Sequence, residues 1–135
     1  MKKIYLYKSP DGSAPFLEFM AALDEKARKK LEYALKSMAI TPGRFSEPMV
    51  KHFSIERYQQ LYELREKARV LLRVVFTFDE CGNVILLCPF IKRHKRNTNQ
   101  ALEASLAMLE KIENNPHALM EYPFHAGVCE NQQEE

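Results

Sequence analysis

Apolar positions alternate with a period of two through residues 70–78, where Val70, Leu72, Val74, Phe76 and Phe78 are all apolar and Leu71, Arg73, Val75 and Thr77 are mixed. That is the pattern of a half-buried strand, because successive side chains point to opposite faces. Residues 84–91 (VILLCPFI) are apolar on both faces, which predicts a strand with a neighbour on each side and cover above and below. Cys81, Gly82 and Asn83 supply turn chemistry between the two runs, so together they predict an antiparallel hairpin. The second run opens directly into Lys92, Arg93, His94, Lys95 and Arg96, five side chains that are cationic or can become so.

The rest of the chain reads as support for that hairpin. Residues 2–8 predict a short strand with Ile4 and Leu6 on one face and Tyr5 and Tyr7 on the other. A turn follows at residues 9–13, and Ser13 or Ala14 then caps a helix with Pro15 in its first turn, where a missing N–H costs nothing. Apolar residues recur at helical spacing from Phe16 to Met38, with lysines, Arg28 and Glu32 opposite. They predict one amphipathic helix, or two with a break at Asp24, which would cap the second. Thr41, Pro42 and Gly43 end it. Residues 44–53 read as a connection, residues 55–60 as a turn of helix or a loop, and residues 61–65 as a further strand. Beyond the basic cluster, Asn97, Thr98 and Asn99 are N-cap candidates, and Asn97 with Gln100 fits a loose capping box. Leu102, Leu106, Leu109 and Ile112 then mark a last helix, closed by Asn114, Asn115 and Pro116.

These elements define an α+β fold: an N-terminal strand and one or two helices packed on a curved antiparallel sheet, with a C-terminal helix. The 135 residues suit a single domain, expected over residues 1–115. Residues 116–135 are expected to form an acidic, partly disordered tail, although Leu119, Met120, Tyr122 and Phe124 are apolar enough to dock on the body. The chain carries neither a secretory signal pattern nor an apolar run long enough to cross a bilayer, so a cytoplasmic location is expected. Cys81, Cys88 and Cys129 form no disulfide framework and no Cys-x-x-Cys pair, and read as reduced and structurally incidental.

The net charge of +2 conceals an asymmetry. Residues 1–112 hold all 20 Lys and Arg but only 13 of the 18 Asp and Glu, a net +7, and the last 23 residues carry the other five acids. A basic body is the electrostatic footprint of a polyanion partner, most often nucleic acid, or else a solvated Lys-rich surface. A helix that begins beside the basic cluster strengthens the first reading, since free backbone N–H groups add to the side-chain charge.

Three stretches carry a family resemblance: Leu61, Tyr62, Glu63, Leu64 and Arg65; then Leu72, Arg73, Val74, Val75 and Phe76; then Pro89, Phe90, Ile91, Lys92 and Arg93, with a helix behind. In motif and element order the chain resembles the RelE/ParE toxin superfamily, in particular the phage-derived, HigB-like branch of type II toxin-antitoxin toxins. The resemblance implies a toxin held silent by a cognate antitoxin, expected to be a helix-turn-helix protein. It also implies action as an mRNA interferase, an endoribonuclease that cuts mRNA on the ribosome, with gyrase or nucleic-acid binding without cutting as the alternative. Where RelE-branch members often carry a tyrosine shortly after the basic cluster, Thr98 and Asn99 stand here.

Cutting RNA without a metal or other cofactor needs cations to hold transition-state charge and a group to move protons. The residues expected to do so are Arg73, Lys92, Arg93 and His94, the guanidinium forks matching phosphate and the imidazole suited to proton transfer. Arg65, Arg69, Lys95 and Arg96 are expected to hold RNA, although Arg65, two residues from Glu63, is also placed to pair with that acid, and Arg73 could instead be a half-exposed strand arginine paired with it. If the hairpin turn centres on Cys81, Arg73 faces Pro89, and Arg69, Arg73 and Arg93 line one face within roughly 13 Å at ~3.3 Å per residue. A slip of one residue moves Arg93 to the other face.

Overall fold

The computed structural model describes residues 1–43, 45 and 49–124. Along the chain lie β1 (Ile4–Tyr7), α1 (Pro15–Ala22), α2 (Glu25–Ile40), β2 (Val50–His52), a 3-10 turn (Glu56–Tyr58), β3 (Tyr62–Ala68), β4 (Val70–Phe78), β5 (Val84–Lys92), α3 (Lys95–Asn114), a second 3-10 turn (Pro116–Ala118) and β6 (Leu119–Glu121). The strands form one six-stranded sheet in the order β2-β3-β4-β5-β1-β6. Every neighbouring pair is antiparallel except β1 and β5, which run parallel with Ile4 level with Val84. This is the expected α+β fold.

The alternation in β4 puts Leu72, Val74 and Phe76 on the face covered by α1 and α2, where Phe16, Met20, Leu31, Leu35 and Met38 meet them. Val75 points the other way and joins Ile85 and Leu87 under α3, against Ala101, Leu102 and Leu109. Helices on both faces explain why β5 is apolar throughout. The helical run of residues 16–38 breaks in two at Asp24, whose side chain accepts from the Ala27 N–H at 2.8 Å and so caps α2. In the β4–β5 turn Asp79 accepts from the N–H groups of Cys81 and Asn83, and Gly82 takes φ +85°, which a Cβ would disfavour.

Two strands come from segments not expected to form them. Residues 50–52, read as connection, pair with β3 from Val50↔Leu64 to His52↔Tyr62. Residues 119–121, read as tail, pair with β1, so the packed body runs past residue 115. Three residues are too few to show a period, and what makes them strands is the open edge beside them. Tyr122 then seals that edge at 7% exposure, edge-on to Phe16 and Phe124. The acidic residues beyond position 124 lie outside the described residues. No helix among the described residues is long and apolar enough to cross a membrane.

Candidate functional site

The hairpin register differs from expectation by one residue at its open end, and that moves the site. Near the turn the pairing runs Phe78↔Val84, Thr77↔Ile85 and Phe76↔Leu86, but beyond a bulge it continues Val74↔Pro89, Arg73↔Phe90 and Leu71↔Lys92. One residue of β4, Val75, therefore stands opposite two of β5, Leu87 and Cys88. The signal was Pro89, which has no N–H for a ladder and inside a sheet is confined to edges and bulges. Phe90 and Lys92 now share the face of Arg73, while Arg93 lies beyond the last residue of β5. Arg69 does not join that face either. It makes the β3–β4 reversal at φ +67°, the one described non-glycine residue in the left-handed region. The expected line of Arg69, Arg73 and Arg93 is not formed.

What forms instead is two cross-strand rows on the α3 face. Arg65 on β3 stands opposite Arg73, which stands opposite Phe90, and the next row is Lys67, Leu71 and Lys92. Lys67 follows Arg65 at the strand period, the signal that marks it as a neighbour on the same face. Arg65 Nε lies 3.0 Å from Oε1 of Glu63 and Arg73 Nε lies 3.9 Å from the same oxygen. The carboxylate is 1% exposed, with Arg73 at 12% and Arg65 at 30%. The ion pair read for Arg65 is present. Arg73 donates through Nη1 to the carbonyls of Leu72 at 3.0 Å and Glu66 at 3.5 Å, leaving its buried Nε and Glu63 Oε2 without a hydrogen-bond partner among the described residues. Desolvation lowers the pKa of Arg73, Glu63 works against that, and Arg65 adds to it.

All the named cations beyond these gather at one end of the sheet. Lys67 and Arg69 flank the β3–β4 reversal, Lys92 ends β5, and Arg93, His94, Lys95 and Arg96 are exposed where α3 begins. Lys30 of α2 joins them, its Nζ donating to the Lys67 carbonyl at 2.5 Å. Helix α3 starts earlier than expected, with His94 as N-cap, because Asn97 works from inside the first turn. Its Oδ1 accepts from the N–H groups of both Arg93 and His94 at 2.8 Å. The first turn of α3 thus holds Lys95 and Arg96 and no acid, the sign opposite to the one a helix N-terminus prefers. None of Lys67, Arg69, Lys92, Arg93, Lys95 and Arg96 makes an ion pair among the described residues.

Beside the arginine pair opens a cleft of about 450 Å³, lined by Lys30, Met49, Arg65, Glu66, Lys67, Leu71 and Arg73. A larger one, about 550 Å³, lies at the opposite end against the β4–β5 turn, lined by Ile40, Tyr62, Phe78 and Cys81 among others, and Lys2 is the one charged side chain among the described residues that line it. The chemistry gathers at the first. Helix α3 is fixed over the sheet by Glu103, which accepts from Arg57 Nε at 2.8 Å and Nη2 at 2.6 Å and from the Tyr58 hydroxyl. Those bonds pull the Glu103 carboxyl down to about 2. Arg73 is level with Phe90, four residues before His94 along the chain. Among the described residues no group of three or more His, Cys, Asp or Glu could hold a metal.

The chain belongs to the family described as phage derived protein Gp49-like (DUF891), whose model matches residues 18–119. That span contains β3, β4, β5 and all of α3, hence every residue of the two rows and the cationic end. No curated protein matches the chain.

Proposed function

We propose that this protein is the toxin of a type II toxin-antitoxin pair, an mRNA endonuclease that works without a metal on the ribosome and is held silent by a cognate antitoxin. The observation that carries the reading is the cationic end of the sheet, where six cations make no ion pair among the described residues and α3 begins with no acid in its first turn. Unpaired charge of one sign is costly to assemble and is offset when a polyanion arrives. In this reading Arg73 and Arg65 hold one phosphate, Lys92, Arg93, Lys95 and Arg96 hold the strand beside it, and His94 moves a proton. The matched phage-derived family supports the toxin setting.

The four-residue offset between His94 and Phe90, the strand partner of Arg73, favours a second reading, binding without cutting, with gyrase or a nucleic acid as the target. Induced expression in a bacterial cell separates the readings. Growth arrest with loss of translated mRNA is the expected result. Arrest with DNA damage and intact mRNA supports the gyrase reading, and normal growth with abundant soluble protein refutes the toxin assignment.

A further inference from the structure

Arg65 and Arg73 are cross-strand partners. Like charges in that position destabilise a sheet. One carboxylate, Glu63, stands between them, and among the described residues only its Oε1 is used. A buried acid placed for stability alone would have both oxygens satisfied, since each unpaired lone pair in the interior is a loss. Lys51 stands across from Glu63 on β2, yet its Nζ lies over the Phe53 ring at 5.5 Å instead of at the free oxygen.

We infer that Glu63 is a positioning residue, which anchors Arg65 through Nε beside Arg73 so that the two Nη groups of Arg65 and the Nη2 of Arg73 meet one phosphate of a single-stranded polynucleotide in the cleft. The inference rests on the polyanion reading above and adds the residue that orients its clamp. A guanidinium has five N–H donors in a fixed fork. Arg65 uses Nε alone, and Arg73 uses Nη1 on two carbonyls. The open edge of Arg65 and the remaining Nη2 of Arg73, on two residues lining one cleft, match the oxygens of a phosphodiester. Met49 and Leu71, 38% and 37% exposed on the cleft wall, offer apolar surface to the adjoining sugar or base.

The test turns on sign. Glu63→Gln keeps the shape of the side chain and makes the protein more positive by one charge, so unspecific attraction predicts tighter binding of a labelled single-stranded oligouridylate. Positioning predicts the reverse, a loss of about tenfold with the slope of log affinity against log salt reduced by about 1. Tighter or unchanged binding overturns the inference. Should Glu63→Gln fail to fold, Arg65→Lys decides, because it keeps the charge at a part-exposed position but removes the anchored fork. About tenfold weaker binding is expected, and wild-type affinity overturns the inference. In the Arg65→Lys background, Glu63→Gln is expected to weaken binding no further, and a second loss of similar size refutes action through Arg65. Wild-type protein that shows no salt-dependent binding ends the polyanion reading itself, an outcome distinct from a variant that binds too well.

Discussion

Replacing Tyr122 by alanine tests whether the last strand belongs to the fold. The ring is 7% exposed and sits edge-on to Phe16 at 6.0 Å between centroids and to Phe124 at 4.8 Å. Its N–H donates to the Ile4 carbonyl at 2.8 Å, holding the chain against β1. Loss of a buried aromatic ring costs about 3–5 kcal/mol, and the low end applies at an edge that can partly close. For a chain of this size about 3 kcal/mol lowers Tm by about 10–15 °C, measurable by circular dichroism or scanning calorimetry. Tyr122→Phe separates ring from hydroxyl, which reaches Glu32 Oε2 only at 3.4 Å, and is expected to cost less than about 1 kcal/mol. Burial, and after it the charge of Glu32, raises the pKa of the phenol above its ordinary value. The folded state therefore favours the neutral form, and that contribution is complete below the free phenol value of about 10 and is lost as pH rises above it. Wild type should lose Tm faster than Tyr122→Phe between about pH 9 and about pH 11. A fall of less than about 3 °C for Tyr122→Ala would show that the segment rests on the body without contributing to it.

Two further outcomes follow from the same geometry. Deletion after Phe124 is expected to leave RNA affinity unchanged across a salt series, because the chain leaves beside Ile4, level with Val84, and Lys92 is the length of β5 away, about 26 Å. Tighter binding of that truncation at low salt would instead favour the acidic residues as a screen over the basic end. Glu103→Gln is expected to lower Tm at neutral pH, with the difference from wild type shrinking as pH falls through the range between about 4.5 and about 2, since a depressed carboxyl contributes only while ionised. A difference that persists at the acid limit would refute the pairing with Arg57 and Tyr58 as its cause.

The elements legible in the sequence were those whose signal is local. Alternation marked β4, helical spacing and Asp24 marked α1 and α2, and residues 81–83 marked the turn. Strands β2 and β6 escaped because three residues carry no period, and their existence depends on edges made by distant parts of the chain. The α3 boundary was placed late because asparagine is a common N-cap, whereas Asn97 reaches back from the first turn to the N–H groups of Arg93 and His94. For the site, the residue types were readable and their grouping was not. A single extra residue beside Pro89 moved Arg93 off the face of Arg73 and brought Phe90 and Lys92 onto it. Glu63 was legible as a partner for either Arg65 or Arg73, but not for both at once, because nothing in an Arg65 to Arg73 spacing announces that the two will be register mates.

The position of β1 has a consequence for synthesis. It is made before the strands it pairs with: both of its neighbours, β5 and β6, are encoded far downstream, and its slot does not exist until they arrive. The nascent chain can assemble the β3-β4-β5 meander while residues 4–7 wait unpaired, since only the local hairpins close early. The parallel pairing with β5 spans about 80 residues, and β6 adds the final edge. The sheet is therefore finished by strands far apart in the sequence, and a nascent chain that stops before β6 has its arginine pair but lacks the completed far edge of the sheet.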